Sequence, residues 1–204
     1  MNSAIGCSTE NNKQIWRSGN MLYPLPAVMV SCGVYDGGED TSRSNVFTAA
    51  WCGTVCSDPA MVYVSVRPSR YSHDIIRDSG EFVINLTTER LCAAADQAGV
   101  ISGRDVDKFA RLNLTPEKAQ QVQCPLIKES PVNIECRVTQ MIPLGSHDMF
   151  LAKVLCVHVD ESLLDDKGRL ALEKAKLITY SHGTYQSLGK ALGTFGFSVR
   201  KKRS

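Results

Sequence analysis

The chain has 204 residues, of which 43% are hydrophobic and 22% are charged, and this composition is typical of one globular domain. The net charge of +2 gives no strong overall field, so nucleic acid and membrane surfaces are not expected partners. Residues 1–13 lack the apolar core of a signal peptide, and no apolar run reaches the roughly 18 residues that span a bilayer, so we expect a cytoplasmic protein.

The chain divides into three predicted parts. Residues 1–20 are polar and form an N-terminal arm, residues 21–198 form one domain, and residues 199–204 form a basic C-terminal tail. We interpret the tail as solvated chain, with a phosphate-binding arm as the alternative. The eight cysteines lie mostly inside apolar runs of a chain that is not small, which predicts free thiols.

Strands dominate the predicted elements. Alternating or continuous apolar residues predict extended segments at 27–35, 45–56, 61–67, 81–86, 132–142 and 149–159. The last two segments form a hairpin. Many strands with a few short helices between them predict a mostly β fold, a β barrel with a few short helices.

Three short helical segments are predicted between the strands. Ser72 is expected to cap a helix over 73–78 that ends at Gly80, and Thr88 to cap a helix over 89–98. Pro116 is expected to open a helical turn that reaches residue 122.

The junction after the third segment carries the strongest local signal. A strand delivers Ser65 and Arg67, and a loop with Arg70 leads to a helix start at Ser72. Helix N-termini present free N–H groups, and arginine contacts phosphate in bidentate fashion, so the junction suits a phosphate. The alternative is an exposed turn with incidental charges.

The second segment suits a ligand with a flat ring and a polar tail. Asn45 and Thr48 offer hydrogen bonds, Ala49 and Ala50 permit close approach to the backbone, and Trp51 offers a stacking plane. The alternative is a strand with a tryptophan in the core.

The four histidines are scattered, with no helical His-x-x-x-His pair, so no metal site is predicted. His147 precedes Asp148 in a loop and is either a proton donor or a surface histidine. Gly-x-Ser-x-Gly, P-loop and Gly-x-Gly-x-x-Gly motifs are absent from the sequence, which argues against a serine hydrolase, an NTPase and a Rossmann dehydrogenase.

Together these segments resemble the flavin reductase-like family of FMN-binding split barrels, and within it the flavoredoxin-type members. The resemblance runs from about Pro24 to Ser198. It depends on blocks in family order at 45–54, 57–59, 64–72, 80–86, 102–109, 145–150 and 188–197.

The resemblance implies a homodimer with FMN in a cleft near the subunit interface. The residues implied along the flavin are Asn45, Thr48, Ala49, Ala50 and Trp51. Those implied at the phosphate are Ser65, Arg67, Arg70 and Ser72, with Val66 and Tyr71 in the same block. Asn85 is implied at the ribityl chain or ring edge, and the segment 180–185 as a further wall.

Lys108 and His147 are implied close to the isoalloxazine, as the catalytic pair, because a cation or proton donor there favours reduced flavin. The resemblance therefore implies an FMN redox protein, either a reductase using NAD(P)H or a carrier receiving electrons from a redox protein partner. The alternative is a non-catalytic flavin- or ligand-binding module on the same barrel.

Overall fold

The computed structural model describes residues 13–199, so the basic run 200–203 and most of the predicted N-terminal arm lie outside the described residues. The strands are, in chain order, β1 Leu25–Pro26, β2 Val28–Gly33, β3 Ser44–Ala49, β4 Cys52–Ser57, β5 Ala60–Val66, β6 Glu81–Leu86, β7 Pro116–Glu117, β8 Leu126–Ile127, β9 Val132–Pro143, β10 Asp148–Val159, β11 Ile178–Ser181 and β12 Thr184–Ser187. The α-helices are α1 Tyr71–Ser79, α2 Cys92–Val100 and α3 Lys108–Arg111, and 3-10 turns lie at Glu89–Leu91, Glu161–Leu163, Leu172–Ala175 and Phe197–Val199.

A seven-stranded antiparallel sheet forms the body, in the order β3-β2-β6-β9-β10-β5-β4. Strands β3 and β4 stand at opposite ends of this order, yet only Ala50 and Trp51 separate them in the chain. The sheet therefore curls until β3 contacts β5, and the Ser65 N–H donates to the Trp51 carbonyl at 2.9 Å. The prediction of a mostly β barrel with a few short helices is confirmed.

The barrel interior is filled by the side chains that the alternation predicted. Val62, Val64 and Val66 of β5 are all buried, and they share a core with Phe82 and Phe150 from β6 and β10. The hairpin prediction is also confirmed, since β9 and β10 pair over nearly their whole length. The sheet thus gives a rigid frame on which the β5–α1 junction sits.

A second core covers the outer face of β2 and β3. Met29 and Val46 pack there against Ala95 of α2 and Phe109 of α3. Strand β3 consequently packs against the barrel core on one face and against α2 and α3 on the other. None of the helices within 13–199 is long and apolar enough to cross a membrane.

Two predicted caps differ from the structure. Helix α1 begins at Tyr71, with Arg70 as a cap residue that makes no side-chain hydrogen bond, while Gly80 ends the helix with a φ of 68° as expected. Ser72 is not the cap because its buried hydroxyl accepts a hydrogen bond from Asn45 Nδ2 at 2.7 Å. Thr88 precedes a 3-10 turn and makes no capping hydrogen bond.

The helical turn predicted at Pro116 is wrong. Pro116 and Glu117 form strand β7, which pairs with Leu126 and Ile127 of β8. A missing N–H suits the start of a short edge strand as well as it suits the first turn of a helix. The single strand predicted over 45–56 is likewise two strands, because the chain turns at Ala50 and Trp51.

Candidate functional site

Two cavities adjoin along β3 and the β5–α1 junction, with volumes of about 370 Å³ and 320 Å³. The residues that line both are Phe47, Thr48, Arg67, Arg70 and Gly99. Because the linings are shared, the cavities form one continuous cleft, within the size range of ligand sites. We call its two halves the aromatic cavity, which contains Trp51, and the cationic cavity, which contains Lys108.

Flat rings form the walls of the aromatic cavity. The Trp51 and His147 rings meet edge to face, with centroids 4.5 Å apart. On the opposite side Tyr180 contacts Tyr185 at 5.6 Å and Tyr23 at 6.3 Å. Burial, reinforced by nearby Asp96, raises the pKa of Tyr185 to about 12. The cavity therefore offers apolar ring faces to a planar ligand.

The cationic cavity concentrates positive charge. Arg67, Arg70, Arg104 and Lys108 all line it, and its lining contains no carboxylate. The hydroxyls of Ser69 and Ser72 and the exposed backbone of the junction add polar groups. This donor set is what a phosphate group requires, since arginine and hydroxyl donors satisfy its oxygens.

Lys108 is the most buried of these cations, with 3% of its surface exposed. Its Nζ donates to the carbonyl oxygens of Val46 at 2.8 Å and Ala98 at 2.7 Å, which joins α2 and α3 to β3. Burial is the main cause that lowers the pKa of Lys108 to about 8, and the charge of Arg70 acts in the same direction. The Asp107 carboxylate fixes the residue by capping α3.

A loop over 101–104 closes the cationic cavity against the β5–α1 junction. A Cβ on Gly103 would lie 2.2 Å from Asn45 Oδ1, so only glycine permits this approach. Arg104 follows, donating to the Ser69 carbonyl at 3.3 Å and lying over the Tyr71 ring. Asn45 is held in turn by its hydrogen bond to Ser72.

His147 belongs to the aromatic cavity, while Lys108 belongs to the cationic one. Burial, with a further contribution from the Arg67 charge, lowers the pKa of His147 below its usual value. The imidazole is consequently neutral at pH 7, with Nδ1 2.9 Å from Ser146 Oγ. The two residues of the predicted catalytic pair therefore line different halves of the same cleft.

A buried pair fixes the loop that carries His147. His73 Nε2 lies 2.8 Å from Asp148 Oδ2, and the His73 ring packs edge-on against Phe150. This contact ties the start of α1 to the start of β10, so it sets the spacing between the arginines and the His147 loop. Asp148 follows His147 in the sequence, but its hydrogen-bond partner is His73, which lies 75 residues away in the chain.

Beyond the Trp51–His147 pair lies a wider groove of about 600 Å³. Its far side is formed by the segment 19–23, in which Met21 and Leu22 are exposed, together with Leu144. Because Tyr23, Trp51, Ser65 and His147 line both the groove and the aromatic cavity, the cleft adjoins an exposed apolar surface on this side.

Most predicted site residues line the cleft. Those in the aromatic cavity alone are Ala49, Ala50, Trp51, Ser65, Val66 and His147. Those in the cationic cavity alone are Asn45, Tyr71, Ser72 and Lys108, and both are lined by Thr48, Arg67 and Arg70. The lining residues not predicted include Tyr23, Asp96, Gly99 and Arg104.

Asn85 is not brought to the cleft. It is fully buried in β6, where its Nδ2 donates to Met29 O and Ser31 Oγ and its Oδ1 accepts from Ile127 N and Asn133 Nδ2. These hydrogen bonds use both the Nδ2 and the Oδ1 of the side-chain amide, so Asn85 joins its own strand β6 to β2, β8 and β9.

Comparison with known proteins gives a consistent result. The family described as flavin reductase like domain matches residues 20–189. A relative from Archaeoglobus fulgidus is 34% identical over 85% of this chain and 89% of its own. The flavoredoxin of Desulfovibrio vulgaris (Miyazaki F) is 33% identical, with a TM-score of 0.80 over 89% of this chain and 96% of that chain.

A further solved structure supports the fold alone, because its identity is 23%. It is an FMN-binding protein from Thermus thermophilus with bound 1-cyclohex-2-enone, with a TM-score of 0.71 over 93% of this chain and 99% of that chain. The split-barrel fold expected from the sequence is therefore confirmed.

Proposed function

Because this chain belongs to the flavin reductase-like domain family, we propose that it binds FMN in the cleft and transfers electrons through it. The observation that carries the proposal is the continuity of a ring-lined cavity with a cavity that holds four cations and no carboxylate in its lining. FMN has this pattern of groups, with a planar apolar ring system at one end and a phosphate dianion at the other.

The residues present fit FMN by the chemistry of their donors. Arg67, Arg70 and Ser72 would hold the phosphate, and Arg104 would close over it from the 101–104 loop. Trp51 and Thr48 would lie beside the ring system. The similarity to a flavoredoxin and the fold shared with an FMN-binding protein also support FMN.

Bound FMN would supply one- and two-electron redox chemistry. The chain's own groups then set the environment of that chemistry. His147 presents a neutral imidazole to the aromatic cavity, where it can donate or accept a hydrogen bond without adding charge. Lys108 and Arg70 keep the electrostatic potential of the cationic cavity positive, which favours an added negative charge within the cleft.

We propose a carrier of the flavoredoxin kind, which takes electrons from a redox protein, and treat direct use of NAD(P)H as the alternative. The exposed apolar groove beyond Trp51 and His147 supports access by a second molecule. A homodimer also belongs to the proposal. Large apolar side chains stay exposed in the terminal segments, among them Trp16 at 54% and Leu192 at 94%, which suits contact with a second copy.

The absorption spectrum of the purified protein tests the flavin. We expect flavin bands and, after release, FMN instead of FAD. A protein that stays colourless after incubation with FMN and desalting would instead support a non-catalytic module.

Anaerobic mixing with NADH or NADPH tests the donor. We expect the bound flavin to stay oxidised with either nicotinamide and to become reduced when a reduced ferredoxin-type protein is added. Rapid bleaching by one nicotinamide, followed by steady turnover with free flavin, would identify a reductase.

A further inference from the structure

A second group of metal-ligating side chains lies on the β9–β10 hairpin. Glu135 of β9 stands opposite Cys156 of β10, and His158 follows two residues later. Residues two apart on a strand share a face, so all three side chains meet on one side of the hairpin. A carboxylate oxygen, a sulfur and an imidazole nitrogen there lie within 4.8 Å of one another.

The individual separations are close to those of a bound ion. His158 Nε2 is 2.6 Å from Glu135 Oε1, and Cys156 Sγ is 3.7 Å from the same nitrogen. Zinc binds nitrogen and oxygen at about 2.0–2.2 Å and sulfur at about 2.3 Å in a tetrahedron. Its ligand atoms are then roughly 3.3–3.7 Å apart, so shifts of less than about 1 Å would accommodate it.

Backbone hydrogen bonds already hold the Glu135 carboxylate in place. Glu135 has no exposed surface and accepts the backbone N–H groups of Gln120 at 2.8 Å, Gln121 at 2.6 Å and Val122 at 3.0 Å. Ligands held by such outer hydrogen bonds keep their orientation when an ion arrives. The His158 side chain is one-third exposed, which leaves a path for the ion from solvent.

The cleft does not use this group. Cys156 is eight residues beyond Asp148 on the same extended strand, a separation of roughly 25 Å. An ion at the hairpin would therefore act on structure, by joining β9 and β10 to the segment 120–122.

We propose that Glu135, Cys156 and His158 form a site for a divalent zinc-class cation, with water as the fourth ligand. Binding forms a metal–sulfur bond, and the Cys156 thiol proton passes to solvent. The proton that His158 Nε2 donates to Glu135 in the metal-free chain exchanges through solvent, so that the neutral ring carries its proton on Nδ1 and offers Nε2 to the ion. Glu135 retains its backbone hydrogen bonds, and the Oε1 lone pair that accepts from His158 in the metal-free chain binds the metal instead.

Cobalt(II) titration of the full chain tests the site, with difference spectra recorded against the same sample without metal. We expect one equivalent of Co²⁺ to give a thiolate charge-transfer band and ligand-field bands at longer wavelengths than flavin absorption. Cys156→Ser should lose the thiolate band and bind Co²⁺ at least about tenfold more weakly. Cys56→Ser is the matched control, since Cys56 is a half-buried thiol on another strand, and it should behave like the wild type.

A stability measurement separates ligand loss from misfolding. Zn²⁺ should raise the Tm of the wild type and of Cys56→Ser, because a ligand that binds the native state stabilises it. The Tm of Cys156→Ser and of His158→Gln should not respond, although both variants should unfold cooperatively. A wild type without a thiolate band, an equal band in Cys156→Ser, or loss of the band in Cys56→Ser would each overturn the proposal.

Discussion

The substitution Arg70→Ala tests the proposed phosphate contact separately from the contacts to the ring system. Arg70 lines both cavities and lies near Lys108, where its positive charge helps to lower the pKa of that lysine. A hydrogen bond to a charged group contributes about 1.5–3 kcal/mol, which corresponds to about tenfold to about 100-fold in Kd. Because Arg70 is exposed to solvent, we expect the lower end, a loss of about tenfold.

The assay is fluorescence titration of the apoprotein with FMN and, in parallel, with riboflavin, which lacks the phosphate. Arg70→Ala should weaken FMN binding and leave riboflavin binding unchanged. Its FMN affinity should also depend less on salt than that of the wild type, since one screened contact is gone.

Arg111→Ala is the matched control for the charge alone. Arg111 is an exposed residue of α3 and lines neither cavity, so its removal changes the net charge by the same amount without removing a contact. Equal weakening of FMN and riboflavin by Arg70→Ala would refute the phosphate assignment. Equal weakening of FMN binding by both arginine variants would show that only the overall field matters.

Three further changes test the cleft. Gly103→Ala drives a Cβ against Asn45 and should cost about 1–3 kcal/mol of unfolding free energy in urea, whereas Gly189→Ala, which meets no atom within 4 Å, should cost little. Lys108→Met leaves two carbonyls without their donor and should lower that free energy by roughly 2 kcal/mol, with no change if the lysine were dispensable. The pKa of His147 is lowered in the fold, so the unfolded chain takes up the proton first as the pH falls below 6.5 and stability is lost. His147→Gln should therefore lose less stability than the wild type between about pH 7 and about pH 5.5, and equal losses would contradict the assigned shift.

The barrel could be predicted because its strands alternate in local sequence. Val62, Val64 and Val66 mark the interior face of β5 without reference to any distant residue. The break between β3 and β4 could not be predicted, because Ala50 and Trp51 carry no turn-forming residue and the bend arises from barrel closure.

The residues that line the cleft could be predicted where they come from one short segment of sequence. They could not be predicted where segments that are distant in the chain meet. Arg67, Arg70 and Trp51 come from short blocks, and all of them line the cleft. Arg104 reaches it only through the close approach of Gly103 to Asn45, which no periodicity reveals. Asn85 lies outside the lining of both cavities, and its position could not be predicted because a polar residue in a strand can serve either a ligand or the barrel's own hydrogen bonds.

The hairpin cluster shows the same limit for metals. A search for helical histidine spacing does not find it, because Cys156 and His158 follow the two-residue repeat of a strand and Glu135 is supplied by the neighbouring strand. Only the register of β9 against β10 brings the three together.

The two-residue step from β3 to β4 has a consequence for how this scaffold can diversify. Ala49, Ala50 and Trp51 line the cleft, and they also lie where the chain passes from β3 to β4. Larger side chains at Ala49 and Ala50 would therefore disturb the place where the two ends of the sheet meet. The segment 19–23 lines the groove of about 600 Å³ and lies outside the strand pairs of the main sheet, whereas 144–147 is the turn that joins β9 to β10. Substitutions in the segment 19–23 can therefore change the surface of this groove without altering the strands that form the cleft wall.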